Sequence, residues 1–89
     1  MSEFRFAVNV LPKDGILDPQ GRAVESSLGH LGVEGASGVR VGRRVELAVS
    51  AMSEGEARSI VERLARELFS NPLIEQFEVE SIEGVGAGV

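Results

Sequence analysis

Between Ser53 and Leu68 the chain repeats apolar residues at one spacing. Ala57, Ile60, Val61, Leu64, Ala65 and Leu68 fall at i, i+3, i+4, i+7, i+8 and i+11, which is one stripe of an α-helix. Ser53 and Glu56 have capping-box spacing at its start, each side chain able to bond the other's backbone N–H. Asn71-Pro72 stops it, because the residue before proline avoids the helical region. The opposite face carries Arg58, Glu62, Arg63, Arg66 and Glu67, with Glu62 and Arg66 spaced for an i,i+4 pair. A helix this short draws its stability from packing its apolar stripe, so the rest of the chain must supply a surface.

The other segments predict a sheet. Phe4, Phe6, Val8 and Val10 alternate with Arg5, Ala7, Asn9 and Leu11, a period-2 strand that turns at Pro12-Lys13-Asp14-Gly15. Val39, Val41, Val45, Leu47 and Val49 share one parity. They predict one long strand bent at Gly42-Arg43, or two shorter strands in a hairpin turning there. A last strand runs from Leu73 to Ile82, with Phe77 and Val79 inward. A first helix is expected from Pro19 to Leu31, with Val24, Leu28 and Leu31 on its stripe and Gly32 as a left-handed cap. The expected fold is α+β: a two-layer sandwich in β-α-β-α-β order, an antiparallel sheet with two helices on one face. Residues 3–82 read as a single domain, and the glycine-rich 83–89 as a flexible tail. A three-stranded sheet covered on one face leaves edges and apolar surface open, so a homo-oligomer, dimer or tetramer, is expected.

Composition narrows the function classes. The 89 residues include four Phe and neither Tyr nor Trp, so the core must be aliphatic. A net charge of −5 argues against nucleic-acid binding, which rests on a basic face, and against an anionic membrane surface. The absence of cysteine excludes disulfides, thiolate catalysis and cysteine metal sites. No stretch reads as a signal peptide or a membrane span, so a cytoplasmic location is expected.

Catalytic constellations are missing. His30 stands alone near a helix end, where it suits the helix dipole, and with no second His or Cys it anchors no zinc site. Asp14 and Asp18 lack the ligand sequence of an EF-hand loop. Gly35-Ala36-Ser37-Gly38 lacks the Lys-Ser/Thr ending of a phosphate loop. Glu75, Glu78, Glu80 and Glu83 form an acidic stripe suited to solvent or a partner, and Arg40, Arg43 and Arg44 form the basic cluster. The residues alone describe a non-catalytic domain.

One stretch is locally odd. In Gly15-Ile16-Leu17-Asp18-Pro19-Gln20-Gly21-Arg22-Ala23-Val24-Glu25, Asp18 is suited to the N-cap and Pro19 to the first helical position. Gly21 in the first turn nevertheless weakens the helix by roughly 0.5–1 kcal/mol against alanine, which points to a close backbone contact. This stretch resembles the signature of the PurS family, the small subunit of bacterial phosphoribosylformylglycinamidine synthase. Val39-Arg40-Val41-Gly42-Arg43 and Leu68-Phe69-Ser70-Asn71-Pro72-Leu73-Ile74-Glu75, followed by Phe77, resemble two further family motifs in the same order. The resemblance covers about Phe4 to Glu80. The family's usual Val-Arg-x-Gly-Lys ends here in Arg43.

The resemblance implies a subunit without catalytic, metal or cofactor-binding residues of its own. It implies a dimer that joins a PurQ-like glutaminase and a large PurL-like synthetase. That complex (EC 6.3.5.3) makes the amidine in the fourth step of purine biosynthesis, and ATP and Mg belong to the synthetase. Asp18, Pro19, Gln20 and Gly21 at the helix start, with Arg40, Gly42 and Arg43 at the bend, are the candidate subunit interface. The alternative is a ligand-binding regulatory module similar to the ACT type, reachable if Gly42-Arg43 is a hairpin turn that adds a fourth strand.

Overall fold

The computed structural model describes residues 1–82; the tail expected at 83–89 lies outside them. The elements are β1 (Ser2–Pro12), α1 (Pro19–His30), β2 (Arg43–Ala51), α2 (Glu54–Leu64), a π-helical turn (Ala65–Phe69) and β3 (Glu75–Ile82). The strands form one antiparallel sheet in the order β2-β1-β3. The element order and the antiparallel sheet are those the hydrophobic pattern predicts.

The register assigns the faces. Val8 lies between Val45 and Val79, Phe6 opposite Leu47, and Val10 opposite Phe77, so the even positions of β1 share a face with the valines and Leu47 of β2. Phe6, Val8 and Val10 join Ala51, Ala57, Val61 and Ala65 in the buried core. α2 therefore packs its stripe across all three strands. Arg58, expected on the solvent face of α2, instead sits 5.6 Å over the Phe6 ring, a cation–π contact that covers the core's largest side chain.

The second sheet face is polar. Arg44 donates to Glu46 at 2.8 Å, to Glu80 at 2.9 Å and to Asn9 at 3.1 Å, a surface network with Ala7 fully buried. The acidic stripe expected on β3 is thus divided by the pleat: Glu78 and Glu80 face this network, whereas Glu75 shares the parity of Phe77 and Val79.

Several local expectations change. β2 starts at Arg43, and Val39 to Gly42 form neither a strand nor a hairpin arm, because the Val39 and Val41 N–H groups bond to the Glu25 and Asp18 carboxylates instead of to a strand. The ACT-like fourth strand is therefore absent among the described residues. Ser53 accepts from the Glu56 N–H at 3.1 Å as predicted, but Glu56 reaches back to the Met52 N–H at 2.7 Å instead of to that of Ser53. The Glu62–Arg66 pair does not form; one residue along, Arg63 pairs with Glu67 at 3.3 Å instead. β3 begins at Glu75, leaving Leu73 and Ile74 exposed in the preceding turn.

α1 departs most from the expected layout. Gly21 is its one buried residue, and the core cluster includes none of its side chains. Val24 and Leu31 on its stripe are 44% and 76% exposed. Its C-terminal end closes as predicted: Gly32, at φ 75°, donates to the Gly29 carbonyl while Val33 donates to that of Leu28, a Schellman arrangement. Sheet coverage by two helices is thus realised within the chain by α2, while α1 is held at its first turn.

Candidate functional site

Three loops meet at one end of the sheet, and each carries a singled-out segment. The turn after β1 brings Ile16, Leu17 and Asp18; the segment before β2 brings Val39 to Gly42; the turn before β3 brings Asn71 to Ile74. Lys13 N–H donates to the Ile74 carbonyl at 2.9 Å, tying the first loop to the third. Together they line an open cleft of ≈ 610 Å³, with Asp18, Pro19 and Gln20 on one wall, Val41, Gly42 and Arg43 on another, and Ile74 and Glu75 on the third.

Asp18 joins the first two loops. One carboxylate oxygen accepts from the Gly21 N–H at 3.0 Å, the N-cap bond, and the other from the Val41 N–H at 2.9 Å. These bonds, Gly21's first, hold its carboxyl below the usual value. Glu25, one helical turn past Gly21, accepts from the Val39 N–H at 2.8 Å. Two carboxylates therefore staple the incoming chain along α1, and both bonds satisfy backbone donors that no strand partner serves.

The glycines follow from this closeness. A Cβ on Gly21 would collide with the Val39 carbonyl oxygen and would lie 2.6 Å from an Asp18 carboxylate oxygen. One on Gly42 would collide with the Val10 carbonyl oxygen and lie 2.8 Å from Leu11 Cδ2. The close contact that Gly21 signals is thus within the chain, and needs no second subunit. Pro19 sits at the helix start, and both it and Gln20 are exposed on the cleft wall.

The arginines are fastened as well. Arg40 donates to the Pro12 carbonyl and lies 3.6 Å from Asp14. Arg43 grips Glu75 with both terminal nitrogens, at 2.9 and 2.8 Å, and donates to the Phe69 carbonyl at 2.7 Å. Glu75 also accepts from the Asn71 N–H at 2.8 Å. Arg43 first, then Asn71, hold the Glu75 carboxyl below its usual value. A guanidinium suits this fork, which one ammonium group could not span.

The candidate interface residues are thus gathered at this end of the molecule, whereas Arg44, Glu78 and Glu80 lie on the polar sheet face. Sequence reasoning missed Glu25 and Glu75, whose roles depend on distant partners, and the exposed apolar group of Ile16, Leu17 and Ile74. The clue to that group was its place inside two quoted motifs. Among the described residues no three His, Cys, Asp or Glu side chains cluster for a metal. His30 lies on α1, and no nucleophile and base meet in the cleft.

Comparisons with known proteins all give the same similarity. A family profile described as PurS, phosphoribosylformylglycinamidine (FGAM) synthase, matches residues 5–83. A phosphoribosylformylglycinamidine synthase subunit PurS of Synechocystis is 37% identical over 79 residues, spanning 86% of this chain and 79% of that protein. The structure of PurLQS from Thermotoga maritima contains a chain with a TM-score of 0.84 and 30% identity, covering 92% of this chain and 100% of that one. The PurS of Bacillus subtilis has a TM-score of 0.77 and 30% identity over 90% of this chain and 99% of its own.

Proposed function

The chain belongs to the PurS family, and from that premise we propose that its task is to assemble a glutaminase and an ATP-dependent synthetase into one phosphoribosylformylglycinamidine synthase. It is the PurS subunit of that enzyme, a component of purine biosynthesis. The observation that supports an assembling role most is the meeting of all three family-like segments around one cleft. The Thermotoga structure named PurLQS supports the same reading, since 92% of this chain matches the whole of one of its chains.

The physical need is clear. Ammonia released from glutamine must reach the synthetase before water protonates it, so the two larger subunits must be held together while it passes. Asp18, Pro19, Gln20, Gly42 and Arg43 line the surface that meets them, while Gly21 and Arg40 brace it from within the chain. ATP and Mg belong to the synthetase, and this subunit supplies no ligand to either. The subunit works in the cytoplasm; no helix among the described residues is long and apolar enough to cross a membrane.

A homo-oligomer accompanies this role. Among the described residues the buried core is confined to seven side chains, and the α1 stripe is left open. Covering Val24 and Leu31 with a second copy would remove apolar surface that a small monomer rarely exposes. Co-purification from the native cell tests the proposal. Recovery of both larger subunits is expected; recovery of neither under gentle, ligand-supplemented conditions would contradict it.

A further inference from the structure

The Asp18 loop also borders a second cavity, of ≈ 540 Å³, which shares Ile16 and Leu17 with the cleft and reaches Arg22, Gly38 and Val39 instead of β3. That volume lies in the range of small-molecule sites. Its charge opposes that of the molecule. The chain carries −5 overall, yet Lys13, Arg22 and Arg40 all line this cavity, from the turn after β1, the first turn of α1 and the segment before β2.

Two carboxylates stand on the same walls without neutralising these cations. Asp18 spends both oxygens on the Gly21 and Val41 N–H groups. Asp14 is 96% exposed and 3.6 Å from Arg40, a contact that solvent screens to little. Glu25, three residues beyond Arg22, is committed to the Val39 N–H. Among the described residues no ion pair engages Lys13 or Arg22, whereas Arg43, Arg44 and Arg63 each have a carboxylate within 3.3 Å.

We propose that this cavity binds a phosphate group, free or as the ester of a small molecule, through Lys13 and Arg22 with Arg40 beside them. Arg40 is held by the Pro12 carbonyl, so its place is set before a ligand arrives. A phosphoryl group presents three acceptor oxygens, enough for one cation from each element, and a guanidinium can take two of them at once. A carboxylate ligand offers only two. Ile16, Leu17 and the half-buried Val39 add an apolar wall that a bare ion leaves unused, so an ester should bind more tightly than free phosphate. The site does not depend on the assembly role, because every residue that lines it belongs to this chain.

The test titrates the purified full chain with ribose 5-phosphate, inorganic phosphate and ribose at low ionic strength, following backbone amide resonances. Both phosphates should saturate while shifting Gly15, Arg22 and Gly38, and ribose should shift none of them. Tighter binding of ribose 5-phosphate identifies an ester as the ligand; equal affinities identify the free ion. Lys13→Gln and Arg22→Gln should each weaken binding roughly tenfold, with the melting temperature of the free chain unchanged, since both residues are exposed. Asp14→Asn should tighten binding severalfold, because Arg40 loses its competing carboxylate. Added salt should weaken binding throughout.

No saturation below ~10 mM of either phosphate would overturn the proposal. So would equal affinity in wild type, Lys13→Gln and Arg22→Gln, or resonance shifts centred away from the cavity. Weaker binding by Asp14→Asn would overturn the part given to Arg40. No larger subunit takes part in this titration, so its outcome is separate from that of co-purification.

Discussion

Gly21 sets two elementary effects against each other. Helix propensity alone predicts that Gly21→Ala stabilises the chain by about 0.5–1 kcal/mol. The Val39 carbonyl, lying where a Cβ would go, predicts the reverse, and backbone cannot rotate aside as a side chain can. We expect a loss of about 1–3 kcal/mol, the usual cost of overpacking, read as a lower denaturation midpoint with unchanged slope. A gain would show that Val39 yields easily. Asp18 acts at the same place through charge. Its carboxyl titrates below the usual carboxylate value because Gly21 and then Val41 bond the ionised form. A depressed folded-state pKa contributes stability that is present above the unfolded value and fades as pH falls through the folded one. Asp18→Asn should therefore be less stable than wild type at neutral pH, with the gap narrowing below about pH 4. A gap that stays constant in acid would contradict the assignment. Asp18 and Pro19 were legible because capping is local. The contact that requires Gly21 was not, since it depends on a residue 18 positions away.

The two helices show what periodicity can and cannot establish. Both have a stripe, and the stripe of α2 finds the sheet, giving the core of Ala57, Val61 and Ala65 beneath Phe6 and Val8. The stripe of α1 has the same kind of spacing but no surface within the chain, because Asp18 and Glu25 direct the returning segment along the helix and hold α1 by its first turns. Apolar spacing reports that a face is buried somewhere, not that it is buried in the same molecule. The start of β2 was obscured for a related reason: Val39 and Val41 keep strand parity, yet their N–H groups go to carboxylates rather than to a neighbouring strand. Hydrogen exchange tests the α1 reading. Amides of α1 beyond Glu25 should gain protection as subunit concentration rises, while those of the central β1 stay protected throughout. Weak α1 protection at every concentration would mean that no second copy covers it.

For the whole molecule, family membership was the most legible property, because the three motif segments stand in order in the sequence. The convergence of the three motif segments could not be read from their order, since strand pairing and two long-range carboxylate bonds bring them together. That convergence suits a subunit whose work is contact, and family membership identifies the enzyme it serves. The most direct measurement reconstitutes the synthetase and glutaminase with and without this chain, following amidine formation from glutamine and from added ammonia. Omitting the chain should abolish turnover with glutamine while some turnover with ammonia persists. Undiminished glutamine-dependent turnover in its absence would contradict the account.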